Sequence, residues 1–160
     1  MFEGIVSKVA ILVCFQSLIL DMAGNVGTQS LAVTIRVLMD EEITFKTRLA
    51  LVWKEVKIGM ANGGLLGIVS FLCIGVYVWL FKGNSILYGF AVSACVGISL
   101  VLAMAISSFA GTVIPLFFHK IKVDPAVASG PLITTVNDLV AVVTYYGMAW
   151  LMLFHLFHLA

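Results

Sequence analysis

Charge is what this sequence has least of. Charged residues make up 11% of its 160 positions, against about 25% in an ordinary soluble domain. Nine basic and eight acidic side chains leave a formal net charge of +1, so no basic excess points to a nucleic-acid partner. Cysteine is equally scarce. Cys14, Cys73 and Cys95 each stand alone in apolar sequence, with no C-x-x-C pair and no histidine at zinc spacing, which reads as buried free thiols. Catalytic signatures are missing too: there is no H-E-x-x-H, no G-x-S-x-G and no Walker loop. That excludes the recognisable machinery of an intramembrane enzyme or an ATP-driven pump, and the chain is not expected to be an enzyme. Phe2-Glu3-Gly4 after Met1 lacks the basic start of a secretory signal, so none is expected.

Apolar residues fill the space that charge leaves. They account for 62% of the chain, and the mean hydropathy is +1.14. Apolar runs recur near the length of about 20 residues that a helix needs to cross a bilayer core. The expected fold is all-α, a polytopic transmembrane helix bundle of about four long helices per chain, without repeats or a soluble domain.

The first span is expected from Gly4 to Leu20. It meets a polar island, Asp21 to Gln29, and apolar sequence resumes from Leu31 to Met39, so one long helix is plausible. Asp40-Glu41-Glu42 marks a turn into water. Phe45, Leu49, Val52 and Val56 then recur at helical spacing beside Lys46, Arg48, Lys54 and Lys57, an amphipathic lead-in. The second span, Ile58 to Phe81, opens on Gly59, Gly63 and Gly67, a stripe that lets another helix approach closely. After the turn Lys82-Gly83-Asn84-Ser85, the third span covers Ile86 to Phe118. A polar loop from His119 to Pro125 leads towards the fourth, Pro131 to Leu156.

Seven of the nine basic residues flank the loops after spans one and three. Positive-inside counting therefore puts those loops in the cytoplasm and both termini outside. An external N-terminus without a signal suggests a further span before Met1. Trp53, Trp79 and Trp150 fall near the interfaces, as amphipathic rings do. His155 and His158 share a helix face near the chain end and read as snorkelled side chains.

Polar groups inside hydrocarbon cost several kcal/mol unless paired or solvated. Asp138 is the sharpest case, seven residues after Pro131 and about 10 Å into the fourth span. Thr134, Thr135 and Asn137 surround it with oxygen, and the span holds no lysine or arginine. A carboxylate among neutral oxygens suits Mg²⁺, Mn²⁺ or Ca²⁺. A protonated structural aspartate and a proton relay are the alternatives. In the polar island, Gly24 and Gly27 either free carbonyls towards a pore or lie in a kinked helix whose polar groups satisfy each other.

Two segments resemble a known family. Gly24-Asn25-Val26-Gly27-Thr28-Gln29-Ser30 is similar to the G-N-x-G-T-Q-S signature of the MgtE magnesium transporters. Asp124-Pro125-Ala126 through Ser129, Pro131, Thr134 and Thr135 to Asp138 resembles its D-P-A-x-x-S-x-P-x-x-T-T-x-x-D stretch. The stretches from Lys54 to Gly67 and from Gly111 to Pro115 also look like its third and fourth membrane helices. The resemblance covers nearly the whole chain and implies one transmembrane cation-channel domain over 1–160, acting as a homodimer in the cell membrane with a dimeric pore. It implies Mg²⁺ as the transported ion, with Mn²⁺, Co²⁺ or Ca²⁺ as further possibilities. Asp138, with Thr134, Gly130 and Asn137, would hold the ion, and Asp21, Gly24, Asn25, Thr28 and Thr135 would line the path. The sequence departs from the family in three ways. The first helix and the magnesium-sensing N and CBS regions have no counterpart, Asp21 replaces a common glycine, and Ser17 replaces a common proline. A non-transporting scaffold or sensor and a proton-coupled solute carrier are the rival expectations.

Overall fold

The computed structural model describes the backbone over residues 2–40 and 44–152. Four helices follow in order: α1 (Phe2–Asp40), α2 (Phe45–Lys82), α3 (Ile86–Lys120) and α4 (Pro125–Ala149). All four are long and apolar enough to cross a membrane. The amphipathic lead-in and the second span are one uninterrupted helix. At 1.5 Å per residue the 38 residues of α2 extend about 57 Å, well beyond a hydrocarbon core of about 30 Å. Its basic first turns therefore continue out of the membrane without a break. His155, His158 and the turn at Glu41-Glu42 lie outside the described residues.

Local chemistry sets the helix ends. Thr44 caps α2 by accepting from Thr47 N, and Ser85 caps α3 by accepting from Tyr88 N at 3.2 Å. Gly83, at φ 66°, ends α2 in the left-handed conformation that favours glycine. The fourth helix starts six residues earlier than the sequence suggests. Asp124 accepts from Ala126 N at 2.8 Å and Pro125 occupies the first turn, where its missing N–H costs nothing. Pro131 therefore lies inside α4 rather than at its start.

α3 is the centre of the bundle. It packs against α1, α2 and α4, whereas α1 scarcely touches α2, and α2 does not reach α4. Its buried surface is rich in small residues, among them Gly89, Ala91, Gly97, Ala103, Ser107, Ser108 and Gly111. Without a hydrophobic force between helices in lipid, such close backbone approach supplies the packing. The stripe Gly59, Gly63 and Gly67 fits here as expected. A Cβ at Gly63 would fall 2.7 Å from Cα of Val101, and one at Gly67 would fall 3.0 Å from the Gly97 carbonyl oxygen.

The outer surface is apolar. Leu65, Ile68, Leu72, Leu80 and Phe81 on α2 are exposed, the pattern of a helix facing lipid. Cys14 and Cys73 are exposed as well, and only Cys95 is buried. The expectation of three buried thiols is corrected for the first two: acyl chains accept a small hydrophobe as readily as a protein core does. Two buried hydroxyls on α3 bond back to their own helix, Ser99 to Cys95 O at 2.7 Å and Thr112 to Ser108 O at 2.9 Å.

Tyrosines tie α4 to α1. Tyr145 OH donates to Leu12 O at 2.8 Å, and Tyr146 OH donates to Gln16 Oε1 at 2.7 Å. Tyr145→Phe is expected to lower stability by about 1 kcal/mol, the scale of one interhelical hydrogen bond in a membrane. Thermal unfolding in detergent checks it, and an unshifted transition would mean that the bond contributes nothing.

Candidate cation site

Asp138 projects from α4 thirteen residues after Pro125, about 20 Å along the helix. The apolar span of α4 runs from Gly130 to Met152, so Asp138 lies about 12 Å into it, close to the depth expected from sequence. Thr134 and Asp138 are four residues apart and share a face, with Asn137 beside them. Opposite them on α1 stand Ser17, Leu20, Asp21, Gly24, Asn25 and Thr28, recurring at three and four residues along one face. The two helices enclose an open groove of about 440 Å³. A six-water shell needs about 180 Å³, so an ion could enter it hydrated.

Seven of the nine lining residues bear a side-chain oxygen, two of them the carboxylates Asp21 and Asp138, and none is cationic. Asn25 Nδ2 donates to Asp21 Oδ2 at 3.5 Å, a weak contact that leaves most of that carboxylate available. The glycine island stays helical. Thr28 Oγ1 donates to Gly24 O at 2.9 Å and to Asn25 O at 3.0 Å, so the polar groups satisfy one another and the backbone is not unwound. The reading in which those glycines free carbonyls towards a pore is not the one adopted.

Asn137 is wholly buried, and neither its Nδ2 nor its Oδ1 has a hydrogen-bond partner among the described residues. It packs on Gly27, where an added Cβ would collide with the Asn137 amide. A buried amide without partners calls for water or an ion at this point.

Most of the residues read from sequence meet here: Asp21, Gly24, Asn25, Thr28, Thr134, Asn137 and Asp138. Two do not line the groove. Gly130 sits one turn before Thr134 on the same face, and its carbonyl accepts from Thr134 Oγ1 at 3.3 Å. Thr135 is turned about 100° away from Thr134 and donates to Pro131 O at 3.1 Å. Ser17 and Leu20 join the wall without having been picked out as lining it. Among the described residues no three His, Cys, Asp or Glu side chains converge.

Sequence reasoning also passed over Glu55. It is 2% exposed and accepts from Ser30 Oγ at 3.0 Å, a buried link between α1 and α2. Its only signal was spacing: Leu51, Glu55 and Gly59 recur every four residues and all three are buried. Ser30→Ala is expected to cost about 1 kcal/mol and to leave the groove intact. Denaturant titration in detergent checks it, and a loss of groove function without loss of stability would contradict a purely structural link.

The order of these residues along the chain decides its kinship. Residues 16–148 match the MgtE family, described as divalent cation transporters. The chain belongs to the MgtE family. The magnesium transporter MgtE of Bacillus subtilis is 41% identical over 148 residues, covering 92% of this chain and 31% of that protein. Its counterpart in Enterococcus faecalis is 38% identical over 150 residues. That of Thermus thermophilus is 31% identical over 153 residues, covering 95% of this chain and 32% of that protein. The chain therefore spans about a third of the length of the curated MgtE proteins it matches. Every groove-lining residue, from Ser17 to Asp138, falls inside the matched segment. Four membrane-crossing helices and this kinship make it a multi-pass membrane protein.

Proposed function

We propose that the whole chain, 1–160, is a cation-conducting domain that passes a hydrated divalent ion, Mg²⁺ foremost, down its electrochemical gradient across the cell membrane. The observation that supports this reading is Asp138, which shares with Asp21 a groove lined by no cationic side chain among the described residues. The groove is open on one side, and a second copy of the chain facing it would supply the matching Asp138 and complete a pore on the dimer axis.

Mg²⁺ surrenders water reluctantly and is commonly held by one or two carboxylates through a partial hydration shell. Paired Asp138 carboxylates would supply charge, Thr134 and Thr28 would orient the waters, and the buried Asn137 amide would support Asp138 from behind the groove wall. Gly130 acts indirectly by holding Thr134, and Thr135 stands outside the conduction path. Mn²⁺, Co²⁺ and Ca²⁺ share the preference for oxygen and differ in geometry and water exchange. An inside-negative potential favours entry of a doubly charged ion by about 4.6 kcal/mol per 100 mV.

The test is flux. Purified protein is reconstituted into liposomes loaded with a magnesium-sensitive dye, and uptake is followed under an imposed potential. Potential-dependent magnesium entry is expected. A dimer that passes no divalent ion would instead support a scaffold or sensor. Uptake of an organic solute driven by pH and indifferent to magnesium would support a carrier.

A further inference from the structure

A second polar site lies away from the groove, where α2 begins and α3 turns into α4. Arg48, His119, Lys120, Lys122, Val123 and Asp124 surround an open pocket of about 520 Å³. Its electrostatics are one-sided. Asp124 is the one carboxylate in the wall, and its Oδ1 is engaged by Ala126 N at 2.8 Å. Arg48 Nε is buried and has no hydrogen-bond partner among the described residues. Lys122 holds φ at 60°, a conformation unusual for lysine, while Lys122 N donates to His119 O and Val123 N donates to Phe118 O. The corner is thereby fixed with its basic side chains gathered beside Arg48.

An apolar groove lies along α2 and α3, one turn further along α2 and about three turns back along α3. Leu49, Val52, Trp53 and Val56 form its α2 wall, and Ala105, Ile106 and Phe109 form its α3 wall. Arg48 and Val52 are four residues apart and share a face of α2. Lys120 lies eleven residues beyond Phe109, about three full turns, which returns it to the same face of α3. A basic pocket and an apolar groove thus lie in series along the same faces of α2 and α3.

We propose that this composite site binds an anionic phospholipid, its phosphate among Arg48, His119, Lys120 and Lys122 and an acyl chain along Trp53 and Phe109. A phosphate diester matches the Arg48 guanidinium and the two lysines in charge, and its acyl chain covers the exposed Leu49 and Trp53. Basic pockets between membrane helices on the cytoplasmic side are where anionic headgroups are held. A free phosphate ion shares the headgroup chemistry but leaves the apolar groove unfilled, which is why the lipid is preferred here.

Trp53 reports on the acyl chain directly. With Trp79→Phe and Trp150→Phe leaving it as the sole indole, the full chain is reconstituted in phosphatidylcholine containing a minor share of phosphatidylglycerol. Either one lipid or the other carries brominated chains. Brominated phosphatidylglycerol is expected to quench Trp53 beyond its share of the bilayer. Arg48→Gln, Lys120→Gln and Lys122→Gln together are expected to abolish that excess, affinity falling about fivefold for each charge removed. Quenching in strict proportion to bilayer composition would overturn the proposal. So would stabilisation by inorganic phosphate alone with no lipid preference, the mark of a free-anion site. The comparison of the two lipids in the protein with its charges intact decides the question even where the triple variant fails to fold.

Discussion

Asp138→Ala is expected to cut magnesium uptake by proteoliposomes about a hundredfold while the protein remains folded. The argument is Coulombic. At an effective dielectric near 20, a carboxylate about 5 Å from a doubly charged ion, one water apart, attracts it by about 7 kcal/mol before desolvation is subtracted. If desolvation leaves about 3 kcal/mol of that attraction, its loss costs about a factor of a hundred. Folding is expected to survive because Asp138 lies exposed in the groove and makes no hydrogen bond across helices among the described residues. Asp138→Asn separates charge from shape: the amide keeps the size and an acceptor oxygen, so a similar loss assigns the effect to charge. Asp21→Asn is expected to cost less, because the proposed dimer site is built on the paired Asp138 carboxylates and Asp21 adds only a further charge to the groove wall. Uptake by Asp138→Ala equal to that of the parent would remove the basis of the proposed function.

What the sequence disclosed and what it withheld divide along physical lines. Scarce charge and recurrent apolar runs made the membrane class and the helix number plain, because hydrocarbon tolerates few other solutions. Asp138 stood out for the same reason. The start of α4 is legible in principle from Asp124 followed by Pro125, an N-cap with proline in the first turn, whereas the expected span began only at Pro131. The continuity of α2 was hidden by its change from basic amphipathic to apolar, which marks the membrane boundary and not a helix end. The Ser30–Glu55 contact joins residues 25 apart on two helices. No local pattern encodes it, since it depends on how both helices lie on α3. Asn137 was recognisable as a polar residue in a span, but its burial against Gly27 was not, because small-residue contacts between helices leave little trace in hydropathy.

Gly24 and Gly27 turn that last point into a sharp prediction. They lie on one helix, three residues apart, and replacing either by alanine brings the same gain in helix propensity, about 1 kcal/mol. Their surroundings differ. An added Cβ at Gly24 meets nothing within 4 Å, so Gly24→Ala is expected to raise stability by up to about 1 kcal/mol. At Gly27 the same methyl runs into the Asn137 side chain, which is fully buried and must shift to admit it. Gly111 closes the other side, since a Cβ there would strike the Gly27 carbonyl oxygen. Gly27→Ala is therefore expected to lower stability by about 2 kcal/mol through overpacking. It is also expected to reduce uptake, because the displaced Asn137 directly precedes Asp138 on α4. Asn137→Ala should relieve the clash, so the double variant is expected to be more stable than the sum of the single changes implies. Thermal unfolding of the four proteins in one detergent measures all of this. Gly24→Ala and Gly27→Ala shifting stability in the same direction, or additive behaviour of Gly27→Ala with Asn137→Ala, would show that the α1–α4 contact beneath the groove is not the tight junction described.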